Sequence, residues 1–128
     1  VIGLVRNPMA VVNSWINAKR EFRPDLGWKI SEEWNYAPKK NNNKIEEFNG
    51  FFKWLEVANM FENLLSLYPK RFMIVNYSDL ILDTPKIVNE LFRFCDLEVS
   101  SDTLQFIQDA NAKEVNNPYG VYRKKKND

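Results

Sequence analysis

Hydrophobic and polar positions along this chain follow two different periods, and the change between them marks its elements. Val1 to Val5 reads VIGLV, a continuous apolar run rich in β-branched side chains, and Arg6, Asn7 and Pro8 end it abruptly. Such a run predicts a fully buried strand followed by a turn. From Pro8 to about Arg20 the spacing lengthens to three and four, with Val11, Val12, Trp15 and Ile16 on one face, which predicts a helix. Pro8 suits its first position because its φ is already helical and its missing N–H would have had no helical partner there. Asn7 suits the cap.

Glu21 to Asn43 carries Pro24, Gly27 and Pro38, the rings of Trp28, Trp34 and Tyr36, and the polar run KKNNNK. This predicts a long surface excursion over residues 21–44 with a short helix at Ser31–Asn35 capped by Ser31, and a solvated stretch at Lys39–Lys44. Its aromatic residues either pin it to the core or face an acceptor substrate. Ile45 to Tyr68 returns to helical spacing, with Phe48, Phe51, Phe52, Leu55, Phe61 and Leu64 on the apolar side, and Pro69 stops it. Phe72 to Val75 predicts a second buried strand, parallel to the first through a right-handed crossover. Asp83 or Thr84 then caps a helix that Pro85 opens and that runs through Cys95. Ser100 to Asn111 predicts a last short helix with Leu104, Ile107 and Ala110 inward.

Strand, helices, strand, helices is the order of an α/β domain, a parallel sheet flanked by helices. The chain opens inside a strand, and a buried parallel strand needs neighbours on both sides. The sequence offers only one other clear strand, so further residues are expected upstream, and residues 1–128 are expected to form a single partial domain.

Composition narrows the classes. With 45% apolar and 14% aromatic residues, 128 positions suffice for a packed core. Eighteen Lys and Arg against 17 Asp and Glu leave a net charge of +1, which gives no sign of general nucleic-acid affinity, so no nucleic-acid partner is expected and any anion site must be local. The single cysteine, Cys95, excludes an internal disulfide and is expected to be a buried thiol in its apolar helix pattern. No apolar run approaches the roughly 18 to 20 residues of a membrane span, and no signal-peptide pattern opens the chain. The cytoplasm is favoured, and the compartment otherwise stays open.

Arg6 is the first candidate for chemistry. In an open parallel sheet, ligands collect where strand ends meet helix starts, and a guanidinium there can grip a phosphate through two parallel charge-assisted bonds. Ser14 adds a hydroxyl on the following helix. Ala10, Ser14 and Ala18, spaced by four, form a stripe of small side chains along which something can lie close. The competing readings are a solvated arginine and a helix-packing stripe.

Arg6-Asn7-Pro8, with Ser14 eight positions after the arginine, resembles the 3′-phosphate-binding motif of sulfotransferases that use 3′-phosphoadenosine 5′-phosphosulfate (PAPS). The resemblance implies that Arg6 and Ser14 hold the 3′-phosphate. NYSDLILDTPKIVNELFRFCDLEV, about 60 residues on, resembles a second stretch of that family, which runs strand, Tyr-Glu-Asp-Leu, Asp-Pro, helix. Tyr77 thereby inherits a place near the adenine, with Ser78 standing where the family often has Glu. The terminal basic run resembles the family's Arg-Lys-Gly segment, which implies that Arg123 and Lys124 reach the 3′-phosphate, although Lys125 replaces the glycine. Asn76-Tyr77-Ser78 also spells an N-glycosylation sequon, read as chance at a strand end expected to be buried.

The family implies a P-loop-kinase-like fold and transfer of a sulfuryl group from PAPS to an acceptor hydroxyl or amine, leaving the 3′,5′-bisphosphate, with no metal. The acceptor, whether small molecule, glycan or protein, is not legible. Relatives use a His or Glu base and a Lys on an upstream 5′-phosphosulfate loop; this sequence has no His and no Gly-rich phosphate loop. The chain is therefore expected to carry the donor-binding side without catalytic residues and to be inactive alone. The alternative is an inactive nucleotide-binding or protein-interaction module of the same ancestry, and a P-loop kinase relative would lack an acid-rich magnesium site.

Overall fold

The computed structural model describes residues 1–44 and 46–112. The chain divides into two compact units, Val1–Ile74 and Val75–Asp128.

In the first unit, strand β1 (Ile2–Val5) leads into helix α1 (Pro8–Ile16). A single 3-10 turn at Pro24–Leu26 and two short helices, α2 (Ile30–Tyr36) and α3 (Pro38–Asn41), fill the excursion, and the long helix α4 (Phe51–Leu67) returns the chain to the sheet. Strand β2 (Met73–Asn76) pairs with β1. The Val1 amino group donates to the Arg71 carbonyl at 2.7 Å, and Met73 N–H donates to the Val1 carbonyl at 3.1 Å. One residue straddling two on its neighbour is the parallel ladder. The pairing bears out the α/β class.

Side chains of β1 alternate. Gly3 is buried under α4, where an added Cβ would stand 2.7 Å from the Phe61 ring and 3.1 Å from that of Phe72. Ile2 and Leu4 point the other way and remain 44% and 55% exposed. The expectation of a strand buried on both faces is therefore corrected among the described residues: its second apolar row has no cover there. Helix α4 also starts later than its periodicity predicts. Gly50 adopts φ +93°, which no continuing helix allows, and Phe48, expected inward, is 53% exposed.

The core of the first unit is aromatic. Phe22 sits edge-on between Trp15 and Trp28 at centroid distances of 5.5 and 5.9 Å. Tyr36 stacks on Phe52 at 4.4 Å, while Phe61 packs on Phe72 at 5.4 Å. Helix α4 packs against both α1 and α2.

The second unit begins within β2 and continues as α5 (Tyr77–Leu82), α6 (Thr84–Phe94) and α7 (Ser101–Ala112). Asp83 caps α6 by accepting from Lys86 N–H at 3.2 Å, and Pro85 lies in the first turn, as expected. Ser100 Oγ accepts from Thr103 N–H ahead of α7, and Ile107 is buried. Cys95 departs from expectation. It follows α6 at the helix end and is exposed, because the apolar face of α6 is carried by Ile87, Val88, Leu91 and Phe92, all half-buried.

Candidate donor-binding site

Arg6 is the residue by which the chain leaves β1, and Asn7 turns it into α1. The Asn7 carboxamide oxygen accepts from Met9 N–H at 2.9 Å and from Ala10 N–H at 3.4 Å, and its backbone carbonyl accepts from Val11 N–H at 3.0 Å. Pro8 has no N–H to offer. The first-turn donors of α1 are thus taken up within the chain by the cap expected of Asn7. What remains for an anion is the positive end of the helix dipole, with no acidic residue in that first turn to neutralise it, together with side-chain donors.

Arg6 and Ser14 supply such donors from consecutive elements. Arg6 is half-buried, and Ser14 is exposed on α1 beside Asn13 and Asn17. Helix rise puts Ser14 about 9 Å along the axis from Pro8. Asn17 Nδ2 donates to the Asn13 backbone carbonyl at 2.7 Å and to its Oδ1 at 2.9 Å, fastening the polar face near Ser14. Ala10 and Ala18, the other members of the small-residue stripe, are half-buried, and Ala18 lies beyond the helix end.

The residue that pattern reading missed is Trp54. Its indole N–H donates to the Arg6 carbonyl at 3.1 Å, across 48 residues of sequence. Periodicity marks Trp54 only as one more ring widening the apolar face of α4; nothing in the sequence gives its polar atom a partner.

The excursion that precedes α4 is internally bonded as well as exposed: Lys39 and Asn42 to Lys44 are exposed, as expected, whereas Lys40 is half-buried and Asn41 is buried. Glu33 is fully buried, and its carboxylate accepts the backbone N–H groups of Lys39 and Lys40 at 3.1 to 3.4 Å, capping α3 from a distance. Ser31 caps nothing; α2 begins after Lys29 without a side-chain cap. Lys39 Nζ reaches the Gly27 carbonyl at 3.0 Å and Glu32 at 3.2 Å, and Lys40 pairs with Glu21 at 2.6 Å. Hydrogen bonding and charge from Lys40 hold the Glu21 carboxyl below its ordinary value; Lys29 and Lys39 do the same to Glu32, and Arg23 to Asp25. Gly50 completes the seat of α4: an added Cβ would lie 2.5 Å from the Asn35 carbonyl oxygen.

Tyr77 belongs to the second unit, where it opens α5 and is half-buried. Asn76, expected to be buried, is exposed. Arg123 and Lys124 lie outside the described residues. Among the described residues no helix is long and apolar enough to cross a membrane, and no cluster of His, Cys, Asp and Glu has the makings of a metal site.

Residues 1–116 match the family model described as Sulfotransferase domain. The chain belongs to the sulfotransferase family. No curated protein and no solved structure matches it.

Proposed function

We propose that this sulfotransferase chain binds the 3′-phosphate and adenine side of PAPS, with Arg6 and Ser14 on the 3′-phosphate, Tyr77 toward the adenine and Arg123 and Lys124 as further phosphate contacts. On this reading the fold is the P-loop-kinase-like fold of the family. The donor supplies the sulfuryl group, which passes to an acceptor hydroxyl or amine and leaves the 3′,5′-bisphosphate behind. The residues of this chain bind and orient; none is assigned as the base, and the chain alone is expected to be inactive.

The observation that carries the reading is the backbone anchor on Arg6. A guanidinium and a serine hydroxyl are the donor set a phosphate monoester takes, and an arginine whose backbone is fixed can discriminate by position as well as by charge. Calorimetric binding of 3′-phosphoadenosine 5′-phosphate against AMP tests it, repeated with Arg6→Ala. A charge-assisted contact of roughly 1.5 to 3 kcal/mol corresponds to a loss of roughly ten- to hundredfold on mutation. Preference for the 3′-phosphorylated nucleotide that disappears with Arg6 supports the assignment, and equal binding of the two nucleotides by the wild type overturns it.

A further inference from the structure

We propose that Trp54 is a positioning residue for the donor site, acting through the backbone of Arg6; the proposal rests on the donor-site reading above. Arg6 stands between two elements, after the last residue of β1 and before the Asn7 cap of α1. The strand ends at Val5, and the first helical acceptor of α1 is the Asn7 carbonyl, which takes Val11 N–H. The Arg6 carbonyl accepts instead from the Trp54 indole at 3.1 Å, in partly buried surroundings. Turning the peptide plane after Arg6 would break that bond and leave a partly buried carbonyl without its donor. The indole thus fixes the point from which the Arg6 side chain starts, and so narrows the region its guanidinium can reach.

The rest of the first unit is arranged to hold that indole still. Trp54 lies in the first turn of α4, with its own N–H on the Gly50 carbonyl at 3.1 Å. Gly50 is pressed against the Asn35 carbonyl, closer than any side chain would allow, and Asn49 beside it is bonded to the buried Asn41. Asn35 and Asn41 of the excursion, through Gly50 and Asn49, therefore set the start of α4, and the start of α4 sets Trp54 against Arg6. A segment that reads as a surface loop acts, on this view, as the scaffold of the donor site.

The test compares 3′-phosphoadenosine 5′-phosphate with AMP on the full chain, for the wild type, for Trp54→Phe, and for replacement of Trp54 by 3-benzothienylalanine, which keeps the bicyclic ring and substitutes sulfur for N–H. The isostere guards against a fold lost through the smaller phenyl ring. Loss of one hydrogen bond should lower the preference for the 3′-phosphorylated nucleotide about fivefold, with AMP binding unchanged. In an Arg6→Ala background the same replacements should change nothing further, because the indole acts through the residue already removed. A preference unaltered by either replacement, an equal loss for both nucleotides, or effects that simply add to those of Arg6→Ala would overturn the proposal. Absence of any preference in the wild type would overturn the donor-site reading itself, and is seen before any variant is made.

Discussion

Asn41 and Asn49 hold each other in both directions. Asn41 Nδ2 donates to the Asn49 carbonyl at 2.9 Å, and Asn41 Oδ1 accepts from Asn49 N–H at 3.0 Å, while Nδ2 also reaches the Tyr36 carbonyl at 2.8 Å. One buried side chain thereby imitates a strand partner and ties the end of α2 to the residue before the Gly50 turn.

Asn41→Ala should therefore be among the more costly polar substitutions in the first unit. It leaves two carbonyls and one N–H in partly buried positions without their partner, at about 1 to 3 kcal/mol for each group that water cannot reach. We expect a loss of about 2 to 4 kcal/mol in denaturant unfolding, with Asn41→Asp no milder at neutral pH, because its carboxylate keeps one acceptor but sets a charged oxygen against the Tyr36 and Asn49 carbonyls. An Asn41→Ala protein as stable as wild type would mean that water replaces the whole arrangement.

The glycines predict an order rather than a single value. Gly27 has φ +74° with open space around it, so Gly27→Ala should cost only the left-handed strain of about 1 to 2 kcal/mol. Gly50 combines φ +93° with a backbone oxygen 2.5 Å from the added Cβ, and backbone cannot swing aside as a side chain can. Gly3 has no such strain, but its Cβ would enter the Phe61 ring, an overpacking of about 1 to 3 kcal/mol. Thermal melts should rank Gly50→Ala as the most damaging. A Gly50→Ala protein that melts with or above Gly27→Ala would contradict the close approach at Asn35.

The elements of this fold that depend on local chemistry were legible in the sequence. Pro8 and Asn7 announced the start of α1, Asp83 the start of α6, and the two β-branched runs the strands, because caps and periodicity act over a few residues. What depended on distant partners was not. The Asn run reads as solvated polarity, yet Asn42 and Asn43 adopt φ 46° and 56°, the left-handed turn that Asn tolerates, and Asn41 is buried through bonds to residues 5 and 8 positions away. Gly50 looks like an interruption that a long amphipathic pattern can absorb; only the Asn35 carbonyl beside it makes it a helix start. At the candidate site, Arg6 and Ser14 stood out by type and spacing, whereas the contact of Trp54 with the Arg6 carbonyl spans too much sequence for any local pattern to carry.

Acid should loosen the excursion before it affects the apolar core. Glu21 and Glu32 have carboxyls held below the ordinary 4.5, and Asp25 below the ordinary 3.8, by their lysine and arginine neighbours. A depressed folded-state value means that the unfolded chain takes up the proton first. The contribution of these pairs is therefore complete above those ordinary values and is lost as the pH falls below them. All three groups are solvent-exposed, so the effect is small for each and screened by salt. Melting temperature followed downward from neutral pH should fall through this window, and less steeply in about 1 M salt, where the screening length is short. Lys40→Met should remove the share owed to Glu21. An acid limb identical in that variant would exclude the Lys40 to Glu21 pair as a source of stability.

Asn7 gives the last prediction, because its side chain occupies the helix end that an anion would otherwise use. Asn7→Ala frees the N–H groups of Met9 and Ala10 and should cost about 0.5 to 2 kcal/mol in stability. Asn7→Asp keeps the acceptor and adds a charge at the positive end of α1, so stability at neutral pH should match or exceed wild type by up to about 1 kcal/mol. That gain should vanish once the pH falls low enough to protonate the new carboxylate, whereas the wild-type carboxamide is indifferent to pH. The two variants thus separate capping from charge: unfolding measured at neutral and acid pH should show the Asp protein gaining only where its carboxylate is ionised. An Asp variant no better than Ala at neutral pH would show that the Asn7 oxygen does not cap α1 in solution.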